Sequence, residues 1–158
     1  MKESRKSYVL YVGNDYPHKN LKRLCLAFKK LNLDYQLVLV TDFVSDEELN
    51  KLYRNASLFV FPSLIEGFGL PPLEAMARGV PVACSNTGSL PEILGEAAVY
   101  FNPLDIGDMT EKIKKTLSND RAKKDLIEKG FEQVKKYNWG KMAKETLGVY
   151  KRIVIQTD

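Results

Sequence analysis

Two glutamates, Glu66 and Glu74, stand eight positions apart and bracket Gly67-Phe68-Gly69-Leu70-Pro71-Pro72. The glycines let a ligand come close to backbone amides. The prolines suit the first turn of a helix, where a missing N–H costs nothing. A helix starting there brings its partial positive charge to the same amides, which makes an anion site suited to phosphate. Carboxylates fit a pure phosphate cradle poorly, yet they accept hydrogen bonds from sugar hydroxyls well. A phosphate site flanked by two hydroxyl acceptors points to a sugar nucleotide. Lys19, in Pro17-His18-Lys19-Asn20, opens another helix, where a cation opposes the macrodipole and so hints at a second purpose. His18, the lone histidine, reads as a plain loop residue, Ser85, Asn86 and Gly88 as turn chemistry, and Trp139 as a packing anchor for the last helix.

These residues need elements to position them, and the apolar pattern supplies short β-rich runs alternating with helical stretches. Tyr8–Val12 reads as a strand ending at Gly13. A helix follows near Asn20–Leu31, with Leu21, Leu24, Cys25, Phe28 and Leu31 on one face. Tyr35–Val40 is the next strand, and Ser45 with Glu48 forms a capping box opening a helix to about Asn55. Ser57–Phe61 is a strand, Leu70–Arg78 a helix, Val80–Cys84 a strand, Pro91–Leu94 a helical turn and Ala97–Phe101 the last strand. From Asp105 the pattern is helical, broken near Asn119 and at Tyr137-Asn138-Trp139. Such alternation predicts an α/β fold, a doubly wound parallel sheet of about five strands with helices on both faces. Ligands of such sheets bind outside the carboxyl ends of the strands, so the loops after Val12, Val40, Phe61 and Cys84 should carry function.

Composition narrows the class. The 158 residues are 44% hydrophobic and 28% charged, too apolar for disorder, and they suit a single domain, 1–158, with a helical segment from about 105. No apolar run approaches the roughly 20 residues of a membrane span. The charged start Met1–Lys6 reads as a frayed lead into the first strand and not as a signal peptide. Cys25 and Cys84 read as small buried thiols of an intracellular chain, and one histidine with two cysteines leaves too few ligands for a protein-built zinc site. A net charge of +4 permits an anionic partner without demanding one. The lysines from Lys112 to Lys144 are interspersed with acids and read as a solvated face, anionic lipid being the functional alternative. Basic residues and aromatics are not interleaved on one groove, which excludes nucleic acid.

Glu66 and Glu74 with Gly67-Phe68-Gly69-Leu70-Pro71 between them resemble the E-x7-E motif of the retaining family 4 glycosyltransferases, which have the GT-B fold. The resemblance covers nearly the whole chain. Tyr11-Val12-Gly13 with Pro17–Asn20 is similar to the family's first loop, and Phe43–Leu49 to its nucleobase-side segment. Val80–Ala83 with Gly88–Glu92, and Tyr137-Asn138-Trp139, match in order and spacing.

The resemblance implies roles for named residues. Glu66 would be the catalytic carboxylate that binds a hydroxyl of the donor sugar. Lys19 would contact the donor diphosphate and Glu74 the ribose hydroxyls. The amides of Gly67, Phe68, Gly69 and Leu70 would face the phosphates and sugar, and Gly13, Asn14 and Val44 would complete the donor site. It implies no metal and no cofactor beyond a GDP- or UDP-linked sugar. It also implies transfer of a mannose- or glucose-type hexose with retention, in the cytoplasm or at the membrane periphery. The Pro17–Asn20 loop tilts the choice towards GDP-mannose.

Three departures from the family bear on this. Asn14 stands where the family often has arginine. Only the donor-binding half of a GT-B enzyme is present, so the acceptor side would belong to an N-terminal domain and the isolated chain would be catalytically incomplete. Between Val40 and Phe43 lie only Thr41 and Asp42, where the family carries a further helix and strand. No parallel crossover fits there. Either Tyr35–Val44 is one long strand, or an edge unit is lost and a five-stranded 2-1-3-4-5 sheet remains. A non-catalytic nucleotide-binding module, and a shortened or engineered fragment without ligand, are the alternative functions. Self-association through the apolar face of Trp139–Ile155 is a further partner expectation.

Overall fold

The computed structural model describes residues 7–155, and the expected frayed start Met1–Lys6 lies outside them. Five strands form one parallel sheet: β1 (Tyr8–Val12), β2 (Gln36–Val40), β3 (Leu58–Phe61), β4 (Val82–Ser85) and β5 (Ala98–Phe101). Their order is β2-β1-β3-β4-β5. Between them run α1 (Leu21–Lys30), α2 (Asp46–Asn55), α3 (Leu70–Ala77) and the short α4 (Leu90–Leu94). After β5 come α5 (Ile106–Leu117), α6 (Asp120–Val134) and α7 (Trp139–Ile155). The chain moves from β1 to β2 in one direction and then to β3 in the other. Right-handed crossovers therefore put α1 and α2 on opposite faces. α5 packs beside α1, and α6 packs on α3, so helices cover both faces.

The central strands β3 and β4 are buried along their whole length, as parallel strands covered on both sides must be. β2, at the edge, is only half-buried. It stops at Val40, which corrects the reading of Tyr35–Val44 as one long strand. Val40 pairs with Val12 at the end of β1, and the Gly13 N–H closes on the Val40 carbonyl at 3.0 Å. Among the described residues no strand pairs with the chain beyond that point. The Ser45 hydroxyl then caps α2 by accepting from the Glu48 N–H at 3.2 Å. The sheet has the expected 2-1-3-4-5 order.

Smaller differences concern where strands start and what is covered. The fourth strand is Val82–Ser85, with Val80 and Pro81 leading into it. Both cysteines are free, and Cys25 is half-buried where full burial was expected. Trp139 is 69% exposed, where a packing anchor was expected. It sits on the first turn of α7, where the chain leaves the body of the domain. The anchor is Tyr137, two residues earlier, whose hydroxyl donates to the Ile93 carbonyl at 2.8 Å. Along α5 to α7 several lysines pair with acids three or four positions away, as at Lys123–Asp120 and Lys129–Asp125, in keeping with a solvated face.

Candidate functional site

The strand order reverses between β1 and β3, and the crevice of a doubly wound sheet opens at that switch point. Two segments meet there. A 3-10 turn, Pro17–Lys19, follows β1, and the glycine loop follows β3. The Lys19 ammonium lies 2.6 Å from Glu66 Oε1, and both side chains are only 13% exposed. The ammonium also sits 5.4 Å from the Phe61 ring centroid. A cation and an anion 47 residues apart thus form one ion pair at the mouth of the crevice.

Neighbouring segments hold this pair in place. The Leu64 N–H donates to the His18 carbonyl at 2.8 Å, tying the loop to the turn. Asn20, buried and left-handed at φ 61°, spans Pro62 and Pro103 by donating to both carbonyls at 3.1 and 2.8 Å. From the β4 side, the Thr87 hydroxyl donates to the Ser63 carbonyl and the Ser89 hydroxyl to that of Glu66. Gly88 does more than turn the chain, because a Cβ there would come within 3.3 Å of the Glu66 carbonyl. Gly69 hands the loop over to α3 at φ +91°, and its missing Cβ makes room for Leu90. Among the described residues no protein acceptor takes the amide hydrogens of Gly67, Phe68 or Gly69. They lie at the N-terminus of α3, which has no side-chain cap.

Glu74 is held differently. It stands on the second turn of α3, and Tyr53 of α2 donates its hydroxyl to Glu74 Oε2 at 3.1 Å. Burial, and then the nearby carboxylate, push the Tyr53 phenol well above its usual range. Arg78, one turn after Glu74, makes no ion pair with it. Its Nη1 donates to the Glu74 main-chain carbonyl at 2.9 Å and its Nε to Asn50 Oδ1 at 2.6 Å. Its guanidinium lies 4.9 Å from the Tyr53 ring centroid. A row of buried rings runs beneath both carboxylates. Tyr11 stacks on Phe61 at 6.1 Å, Phe61 on Phe59 at 6.1 Å, and Phe59 meets Tyr53 at 5.7 Å.

The remaining expected residues divide. Gly13 and Asn14 are tied to Tyr11, whose hydroxyl donates to the Asn14 carbonyl at 2.8 Å and lies only 2.8 Å from where a Gly13 Cβ would be. Burial, and next the charge of Glu66, raise the Tyr11 phenol as well. Asn14 itself is exposed. Phe68 turns its ring edge-on to Tyr137 at 5.4 Å, so its side chain braces the α6–α7 junction while its amide faces the crevice loop. Leu70 is exposed at the start of α3. Val44 is half-buried on the loop before α2, and no hydrogen bond among the described residues ties it to either carboxylate. Sequence reasoning missed Tyr53 and Arg78. The one available signal was Tyr53 lying four positions after Leu49 on the inward face of α2.

Two hollows stand out, one beside Glu74 and one apart from it. A groove of about 670 Å³ borders Phe68, Leu70 and Glu74 and continues past Arg78 to Tyr137 and Met142. A larger one, about 800 Å³, lies between α6 and the Gly95–Ala97 turn, away from both carboxylates. Among the described residues no three His, Cys, Asp or Glu side chains are grouped to hold a metal ion. No helix there is long and apolar enough to cross a membrane.

The family described as glycosyl transferases group 1 matches residues 35–133. The O-antigen chain mannosyltransferase B of Escherichia coli is 34% identical over 173 aligned residues, covering 91% of this chain and 45% of that protein. A serotype-specific mannosyltransferase of Escherichia coli is 33% identical over 152 residues, covering 96% of this chain and 19% of that one. Among solved structures, a sucrose-phosphate synthase from Thermosynechococcus elongatus superposes with a TM-score of 0.83 at 26% identity, over 96% of this chain and 46% of that one. An α,α-trehalose-phosphate synthase (UDP-forming) from Burkholderia vietnamiensis shares the fold with a TM-score of 0.84 at 13% identity, covering 96% and 45%. The chain thus spans about half the length, or less, of the relatives it matches.

Proposed function

The chain belongs to the group 1 glycosyl transferases, and on that premise we propose that it is the donor-binding half of a retaining, two-domain GT-B hexosyltransferase of family 4. The observation that carries this reading is the gathering of Lys19, Glu66, the Gly67–Gly69 amides and Glu74 along the switch-point crevice. The donor is a nucleotide sugar, with mannose favoured by the names of the two Escherichia coli relatives and GDP as its carrier. Lys19 exchanges Glu66 for the donor diphosphate. The amides of Gly67 to Leu70 and the α3 N-terminus then stabilise the negative charge that grows on the leaving diphosphate. Glu66, released from its cation, takes a hydroxyl of the sugar, and Glu74 takes the ribose. The acceptor attacks from the face the diphosphate leaves, which assists its deprotonation and keeps the anomeric configuration. No metal is needed for these steps, since Lys19 and the amides supply the positive charge.

The acceptor site belongs to a complementary N-terminal domain, and without it the chain binds donor but completes no transfer. The missing edge unit leaves β2 exposed and opens the side of the crevice where Val44 would meet the base. Anionic lipid along Lys112–Lys144, and self-association through the exposed Trp139, Met142, Leu147, Tyr150 and Ile153 of α7, are the contacts this reading adds.

Thermal unfolding with millimolar GDP, UDP, GDP-mannose and UDP-glucose tests it. Ligand at about 100 Kd adds roughly 2.7 kcal/mol of stability. The reading expects a base-selective rise in Tm that Lys19→Ala and Glu74→Ala each diminish. A cooperatively unfolding chain that responds to none of the four contradicts it and favours a fragment without ligand. If binding is found but adding the complementary domain restores no transfer, the chain is a nucleotide-binding module.

A further inference from the structure

We infer that Tyr53, clamped by Arg78, is the positioning residue of Glu74 and sets how strongly the chain distinguishes ribose from a sugar without its 2′ and 3′ hydroxyls. The inference rests on the reading of Glu74 as the ribose-binding carboxylate. A carboxylate offers about four acceptor positions. The Tyr53 hydroxyl fills one of them, on Oε2 at 3.1 Å, and thereby fixes the plane and rotamer of the group. The others remain for the two hydroxyls of a cis-diol.

The surroundings make Tyr53 a durable brace. Its ring is fully buried against Phe59, so it cannot swing away. Its phenol is held protonated by burial and by the carboxylate it serves, so it stays a donor across ordinary pH. Arg78 caps the C-terminus of α3, four positions after Glu74, and a salt bridge between them would neutralise the carboxylate. The guanidinium instead spans Asn50 and the Glu74 main-chain carbonyl and lies over the Tyr53 ring. It tightens α2 against α3 and leaves the Glu74 charge available to a ligand.

The test compares GDP and UDP with their 2′,3′-dideoxy counterparts by calorimetric titration of the chain and its variants. Glu74→Ala is expected to abolish the preference for the ribonucleotide. Tyr53→Phe is expected to lower that preference about tenfold, as for loss of a hydrogen bond to a charged group. Affinity for the dideoxy nucleotide should stay within about twofold, and the two substitutions together should be no worse than Glu74→Ala alone. If Tyr53→Phe fails to fold, Arg78→Gln releases the clamp from the solvent side and is expected to cost about threefold in the same preference. A Tyr53→Phe chain that keeps its preference, or weakens both nucleotides equally, overturns the inference while the reading of Glu74 stands. A Glu74→Ala chain that keeps its preference, or a chain that binds neither nucleotide, overturns that reading and the inference with it.

Discussion

Glu66 and Glu74 frame one short segment, yet the fold holds them by opposite means. Glu66 rides on a loop and is met by a cation at 2.6 Å, with both partners 13% exposed. Glu74 rides on a helix and is met by a neutral phenol at 3.1 Å. The difference sets what each can do when an anionic ligand arrives. Under the proposed function, an ammonium shared between a carboxylate and an incoming diphosphate must change partner, so the Glu66 side would work by exchange. A carboxylate braced by a phenol keeps most of its acceptor positions, so under the same proposal the Glu74 side would be ready before the ligand comes.

Gly69 joins the two sides, and breaking it should have the largest effect. Gly69→Ala would strain a φ of +91° and push a Cβ to 2.6 Å from Leu90 Cδ2. Urea unfolding should show a loss of about 3 kcal/mol. Gly67 meets nothing within 4 Å of its missing Cβ, and Gly67→Ala should cost under about 0.5 kcal/mol. Equal losses would mean that the loop and helix are not joined at Gly69.

Lys19→Ala comes next. It leaves Glu66 charged and largely covered, at a cost of about 2 kcal/mol once solvent screening is allowed for. Adding Glu66→Ala should recover part of that loss, so a double-mutant cycle should report a coupling of about 1 kcal/mol or more. Tyr53→Phe removes one hydrogen bond to Glu74 and should cost about 1 kcal/mol, without the recovery on adding Glu74→Ala that marks an ion pair. A larger coupling for Tyr53–Glu74 than for Lys19–Glu66 would reverse the comparison.

The smallest effect is a pH dependence. Tyr11 and Tyr53 ionise later in the folded chain than the ordinary value of 10.0. The folded state then holds their protons more tightly than the unfolded one. That contribution is fully present below about pH 10 and is lost as pH rises further. Each should give up under about 1 kcal/mol by about pH 10.5. Tyr53→Phe should therefore flatten the alkaline fall in stability measured by circular dichroism.

Much of this was legible in the chain because it depends on short-range pattern. Strand and helix periods gave the alternation, Ser45 and Glu48 marked the start of α2, and two prolines after Gly69 marked that of α3. The same alternation put the loops after Val12 and Phe61 at the carboxyl end of the sheet, where Lys19 and Glu66 meet. What was not legible depends on which surfaces have partners. The apolar period of Trp139–Ile155 fixes a helix but says nothing of whether its face is covered, and Trp139 proves exposed. The length of β2 was set by where β1 ends, not by its own apolar residues. Tyr53 and Glu74 lie 21 positions apart with β3 between them, and their contact exists only once α2 and α3 lie side by side on the sheet.

Under the proposed function, the crevice between the β1 and β3 loops receives a nucleoside diphosphate. Amide chemical shifts of the ¹⁵N-labelled chain, followed as GDP and then UDP are added, test it most directly. The expected result is a saturable response largest at Gly67 to Leu70, with Gly13, Asn14, Lys19 and Glu74 following. Shifts centred on the hollow beside α6, at Glu96 and Gln133, or none at millimolar nucleotide, would contradict it.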